Sequence, residues 1–199
     1  MKVIGITGGV GSGKSQVLSY FEEAHHAVIC QADQVAWKLQ EPGETCYQEI
    51  VSHFGTEILN ADATINRMRL GQIVFGDKAQ LLVLNGIMHP AVKCEIEKHI
   101  LEETKKGTRL FVLEAALLIE EHYDEICDEL WYIYTNEQIR RQRLKESRQY
   151  SNEKIDAIMA SQLSEELFRK ACKRVIDNNG TFEETCVLLD RAVEQLGEN

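Results

Sequence analysis

Short apolar, β-branched runs recur at residues 2–7, 27–31, 109–114, 130–135 and 174–177, each bounded by turn residues, and helical periodicity fills most of the intervals. Strands alternating with helices in this way predict an α/β fold, a five-stranded parallel sheet covered on both faces. The first run ends in a glycine-rich turn, Gly8 to Gly13, after which residues 14–24 continue as a helix. Thr135 with Gln138, and Thr181 with Glu184, have capping-box spacing and predict helices that begin just after the fourth and fifth strands.

The interval between the second and third strands is about 75 residues, far more than one crossover helix needs. Helices are expected there at 45–54, 67–75, 79–88 and 91–105, with breaks at Glu41-Pro42-Gly43 and His89-Pro90. No flexible linker flanks this stretch. It reads as a helical substrate-binding insertion, residues 41–106, within a single domain over 1–199 whose core is 1–40, 107–135 and 170–199.

With 44% hydrophobic residues in 199, the chain can bury one sizeable core. Its apolar runs are far short of the roughly 20 residues a membrane span requires, and the amino terminus enters a strand without a leader-like segment. No membrane or secreted role is expected, and the location reads as cytoplasmic. Cys30, Cys46, Cys94, Cys127, Cys172 and Cys186 form no Cys-x-x-Cys pair and read as small core residues in a reducing compartment. A formal charge of -10 excludes a surface built for nucleic acid and means that an anionic ligand needs a local basic site. One such site stands out: Arg140, Arg141, Arg143, Lys145 and Arg148 follow the fourth strand against a single Glu146. The acids from Glu114 to Glu129 read as a solvated face.

Gly8-Gly9-Val10-Gly11-Ser12-Gly13-Lys14-Ser15 fits G-x-x-x-x-G-K-[ST] between a strand and a helix. Glycines let successive backbone N–H groups turn inward around phosphate oxygens, and the helix start adds partial positive charge. Gly9 through Ser15 and the adjoining Gln16 are therefore candidate ATP contacts. Lys14 should reach the terminal phosphates, and the Ser15 hydroxyl should complete the shell of a Mg2+ ion otherwise held by water and phosphate. A guanine-specific Asn-Lys-x-Asp is missing, which disfavours a signalling GTPase. Asp33, just past the second strand, is placed to accept the proton of an attacking hydroxyl or to cap the following helix. Glu114 at the end of the third strand either helps hold the metal through water or is simply solvated.

Together with that loop, Ala32-Asp33, Glu41-Pro42-Gly43, Arg67, Leu84-Asn85 leading to His89-Pro90, Leu117-Leu118-Ile119-Glu120, the stretch from Gln138 to Arg148, and Val175-Ile176-Asp177-Asn178 resemble the successive signatures of the dephospho-coenzyme A kinases, in that family's order. The resemblance implies a P-loop kinase-like three-layer α/β/α fold and ATP-dependent phosphorylation of the ribose 3′-hydroxyl of dephospho-coenzyme A; separately, a monomer or weak homo-oligomer is expected. The resemblance also implies that Asp33 is the base, that Arg141 and Arg148 belong to a lid over 136–150, and that Asn178 borders the adenine. Arg67, His89 and Glu120 become candidate substrate contacts, against an ion pair for Arg67 and a rigid turn at His89-Pro90. Four positions in three motifs depart from the family pattern: Gln31 stands for an aspartate, Ala116 for a proline, and Cys172-Lys173 for Ala-Asp. The rival readings are another small-metabolite or nucleoside kinase and a nucleotide-binding regulatory module.

Overall fold

The computed structural model describes residues 1–197 and contains five strands in one sheet, in the order β2-β3-β1-β4-β5. These are β1 (Lys2–Thr7), β2 (Val28–Gln31), β3 (Leu110–Glu114), β4 (Glu129–Tyr134) and β5 (Arg174–Asp177). The central strand β1 runs parallel to β3, with Ile4 opposite Val112, and parallel to β4, with Ile6 opposite Trp131; β5 extends β4 in the same sense. The strand order reverses around β1, and ligands bind beyond the carboxyl end of a strand at such a point.

The chain divides into two compact units, one formed by Met1–Ile29 with the residues from Glu103 onward, the other by Cys30–Glu102. In the first, α1 (Lys14–His25) and α9 (Phe182–Glu194) cover one face of the sheet. Val17 and Phe21 from α1, and Leu189 and Ala192 from α9, pack on Ile4, Ile6, Trp131, Ile133 and Ile176. Phe21 and Trp131 meet with ring centroids 5.9 Å apart, and each aromatic ring buried there contributes about 2–3 kcal/mol. Asp190 on α9 braces α1, accepting from the Tyr20 hydroxyl at 2.8 Å and pairing with His25 at 2.9 Å. After β4 come α6 (Glu137–Arg148), α7 (Asn152–Ala160) and α8 (Glu165–Ala171), and Phe168 of α8 stacks on Tyr132 of β4.

The second unit holds α2 (Ala32–Leu39), α3 (Tyr47–Phe54), α4 (Arg67–Gly76) and all but the last four residues of α5 (Lys78–Lys106), so α2 falls with the helices of the expected insertion. Two helices expected at 79–88 and 91–105 are one, because α5 continues through Pro90. Proline removes the bond to the Gly86 carbonyl and crowds it. Both residues lie on the exposed side of α5, where that carbonyl can turn to water, and a long helix tolerates one missing bond.

Thr181 and Glu184 form the expected capping box on α9, whereas the first turn of α6 is capped by Asn136, whose side chain accepts from Gln138 N. Thr135 does not cap: its buried hydroxyl hydrogen-bonds the carbonyls of Ser12 and Asn178, both at 3.1 Å. Among the described residues no cysteines are paired, and Cys94 is exposed, contrary to its reading as a core residue. Burial pushes the Cys30 thiol up to about 11 and that of Cys172 up to about 12, keeping them protonated and inert. Among the described residues no helix is long and apolar enough to cross a membrane.

Candidate active site

β1 delivers the loop Gly8–Gly13 into the N-terminus of α1. Gly13 is the N-cap of α1, at φ 91°, and offers no capping side chain, so the amides of the first turn face whatever lies over the loop. A Cβ at Gly13 would be strained in that conformation and would strike Asn178 Nδ2. Asn178 is the clamp beneath the loop: buried to 2% exposure, it donates through Nδ2 to Ser12 O at 2.7 Å and accepts at Oδ1 from the Thr185 hydroxyl at 2.8 Å. Lys14 folds back so that Nζ donates to Gly8 O at 2.7 Å and stands 3.8 Å from Glu114. Ser15 and Gln16 are exposed beside it.

The basic helix α6 lies against the same loop. Arg140 approaches so closely that a Cβ on Gly9 would overlap its guanidinium, which is a reason for glycine there beyond the turn itself. One helical turn on, Arg143 donates to Asn178 O at 3.0 Å, and Leu144 beside it is buried. From the segment between α7 and α8, Gln162 accepts at Oε1 from Val10 N at 3.1 Å. Arg140 Nε and Ser12 Oγ are, among the described residues, the buried side-chain polar atoms without a hydrogen-bond partner. Buried donors are rarely left so. One belongs to the loop and the other to the helix that lies against it.

The arginines expected in a lid, Arg141 and Arg148, have other partners. Arg141 pairs with Glu137 at 2.7 Å and Asp156 at 2.6 Å, and exposed Arg148 lies 6.0 Å from the Tyr150 ring centroid. A hydrogen bond from Arg148 and the charge of Lys154 hold the Tyr150 hydroxyl below its ordinary range. The basic block includes Arg140 and Arg143, but a uniformly basic helix does not disclose which of its faces docks, and Arg141 and Arg148 stand out only by the resemblance; the spacing of Arg140, Arg143 and Leu144 is the signal for the docked face, and nothing in the sequence marks Gln162. Exposed Glu120 borders a hollow of about 370 Å³ with Ile119, Leu163, Leu167 and Lys170. Among the described residues no group of three or more His, Cys, Asp or Glu side chains could hold a metal ion.

In the second unit, α2 starts at Ala32 with Gln31 as N-cap, so Asp33 sits inside the first turn rather than capping it, and it is exposed. Arg67 opens α4 with its guanidinium 4.7 Å over the indole of Trp37. That pair walls a groove of about 400 Å³ lined also by Gln40, Glu41, Asn60 and Asn66. His89 is half-buried in the middle of α5.

A central strand feeding a phosphate-cradling loop, a helix behind it and a basic helix over it define a P-loop phosphotransferase. Residues 2–184 match the dephospho-CoA kinase family. A dephospho-CoA kinase of Carboxydothermus hydrogenoformans is 40% identical over 185 residues, 93% of this chain and 89% of that protein. Among solved structures, TT1252 from Thermus thermophilus superposes with a TM-score of 0.80 at 26% identity, covering 98% of this chain and 97% of the other. A dephospho-CoA kinase from Campylobacter jejuni shares the fold, with a TM-score of 0.73 at 21% identity over 100% and 98%. The chain belongs to the dephospho-CoA kinase family.

Proposed function

We propose that the loop Gly8–Ser15 carries ATP for the phosphorylation of dephospho-coenzyme A, the reaction of this family and the last step of coenzyme A synthesis, and that Asp33 takes the acceptor's proton. The γ-phosphorus breaks its bond to the β,γ-bridging oxygen and forms one to the ribose 3′-oxygen, while the hydroxyl proton passes to the Asp33 carboxylate and ADP leaves. The single observation that supports the donor side is the partnerless Arg140 Nε, buried over the loop. A guanidinium there neutralises charge on the transferring group. Lys14 swings from Gly8 O to the terminal phosphates, replacing one acceptor by a stronger, charged one.

Support for Asp33 comes from its exposure and from the helix start at Ala32, which removes capping as its reason for being there. Arg67 is suited to the acceptor's phosphates, since its guanidinium lies over the Trp37 ring beside the groove and can take a phosphate bidentately. His89 and Glu120 remain candidates for the rest of the substrate, and Arg141 and Arg148 for outer parts of the lid. The Ser15 hydroxyl, exposed beside Lys14 at the start of α1, fits Mg2+, an ion that takes few protein ligands and keeps water and phosphate for the remainder. Bound there, it would offset charge on the β and γ phosphates, with Glu114 reaching it through water. Free thiols suit a reducing cytoplasm, and we infer a monomer or weak homo-oligomer.

Asp33→Asn tests the base, because it keeps shape and loses only basicity. Phosphoryl transfer to dephospho-coenzyme A should fall about a hundredfold or more, with calorimetric ATP binding retained. Transfer within about threefold of wild type would remove Asp33 from the chemistry.

A further inference from the structure

Gln162 lies outside the expected lid, in the short segment joining α7 and α8, yet its carboxamide rests on the phosphate loop. Oε1 accepts from Val10 N at 3.1 Å and would stand 3.3 Å from a Cβ on Gly9. The Arg140 guanidinium covers the same glycine, and its Nε is buried without an acceptor. Three groups thus converge on one point: the Val10 amide, the Arg140 guanidinium and the Gln162 carboxamide. Lys14 marks which phosphate belongs there, since its Nζ rests on Gly8 at this end of the loop and a P-loop lysine serves the β and γ phosphates. The inner phosphates belong to the amides at the start of α1.

A carboxamide is suited to such a place as a carboxylate is not. With nothing bound, its oxygen satisfies the Val10 N–H. An arriving phosphate oxygen takes that N–H for itself and offers an acceptor to Arg140 Nε. The displaced carboxamide then needs only to rotate to present Nε2, a neutral donor, to the same phosphate. We propose that Gln162 is a catalytic residue of the donor site, hydrogen-bonding the γ-phosphate through Nε2 while the lid is closed on ATP. It contributes nothing comparable to ADP, which has no group at that position. The inference rests on assigning the loop to ATP.

Binding of ADP and of a non-hydrolysable ATP analogue is measured by calorimetry for wild type, Gln162→Ala and Gln162→Glu, alongside steady-state transfer to dephospho-coenzyme A and melting curves. Gln162→Glu still accepts from Val10 N and faces Arg140, so the ligand-free protein stays folded, but it opposes the incoming anion. Its affinity for the analogue should fall about tenfold or more with ADP affinity within about threefold, and turnover should fall about a hundredfold. Gln162→Ala should show the same selectivity for the analogue with a smaller loss, about tenfold in turnover. Equal changes for ADP and the analogue, or wild-type turnover in Gln162→Glu, would reduce Gln162 to a brace of the loop and overturn its role while leaving the ATP assignment standing. Failure of the wild type to bind either nucleotide would overturn both.

Discussion

Two neighbouring arginines, Arg140 and Arg141, have opposite surroundings. The first lies over Gly9 with a buried, partnerless Nε, and the second is held outward by Glu137 and Asp156. Charge over the transferring phosphoryl group counts only when it is close and desolvated, so Arg140→Ala should lower turnover about a hundredfold or more with a native melting curve. Arg141→Ala should cost much less, because exposed ion pairs contribute little. Steady-state kinetics of both variants decide between them, and a larger loss at Arg141 would reverse the assignment. Lys14→Ala should lower turnover by several orders of magnitude, since no second cation in the loop replaces it; activity within about threefold of wild type would move the nucleotide away from the loop. The loop's residues were legible because each has a local reason, a turn or an amide facing phosphate. Arg140 was less so, because five basic residues share α6 and only the position of Leu144, the helix's buried residue, tells which of them faces the loop.

Elements show the same division between local and distant causes. The five strands follow from apolar β-branched runs, and the capping box of α9 from two side chains three residues apart. Thr135 had the same spacing before Gln138, but its hydroxyl satisfies the carbonyls of Ser12 and Asn178, so the cap passed to Asn136. No pattern within 135–138 announces a partner more than a hundred residues away. α5 is the converse case, since Pro90 is a strong local stop overridden by the helix on either side of it. Replacing it should therefore stabilise the second unit. Pro90→Ala restores the donor for the Gly86 carbonyl and removes the ring's clash, for a gain of about 1–3 kcal/mol, or several degrees in melting temperature. A lower melting temperature would mean that the helix needs the proline's geometry at His89.

At the scale of the whole molecule the net charge is -10, and the carboxylate of Glu129 is buried within the sheet. Glu129, at the head of β4 and 7% exposed, accepts from Trp131 Nε1 at 2.9 Å and from Arg174 Nε at 2.7 Å, with Lys173 Nζ at 2.8 Å. Burial pushes its carboxyl up, yet hydrogen bonds from Arg174, Lys173 and Trp131 pull it down further, from 4.5 to about 2. A group depressed in the folded state favours folding wherever the unfolded chain would hold the proton more tightly. Its contribution is complete above the ordinary value and fades as pH falls from about 4.5 toward about 2. At neutral pH it amounts to roughly 2–3 kcal/mol, reduced by screening at the half-exposed lysine. Glu129→Gln keeps the shape and one acceptor but leaves Arg174, itself mostly buried, without a counter-charge. Its melting temperature should lie well below that of wild type at pH 7, and the gap should narrow steadily between about pH 5 and pH 2 as the wild type loses the charge the variant never had. Calorimetric scans of both proteins across that range give the gap directly. A gap constant with pH would mean that β4 and β5 are joined at Glu129 by its hydrogen bonds alone, with its charge contributing nothing to the fold.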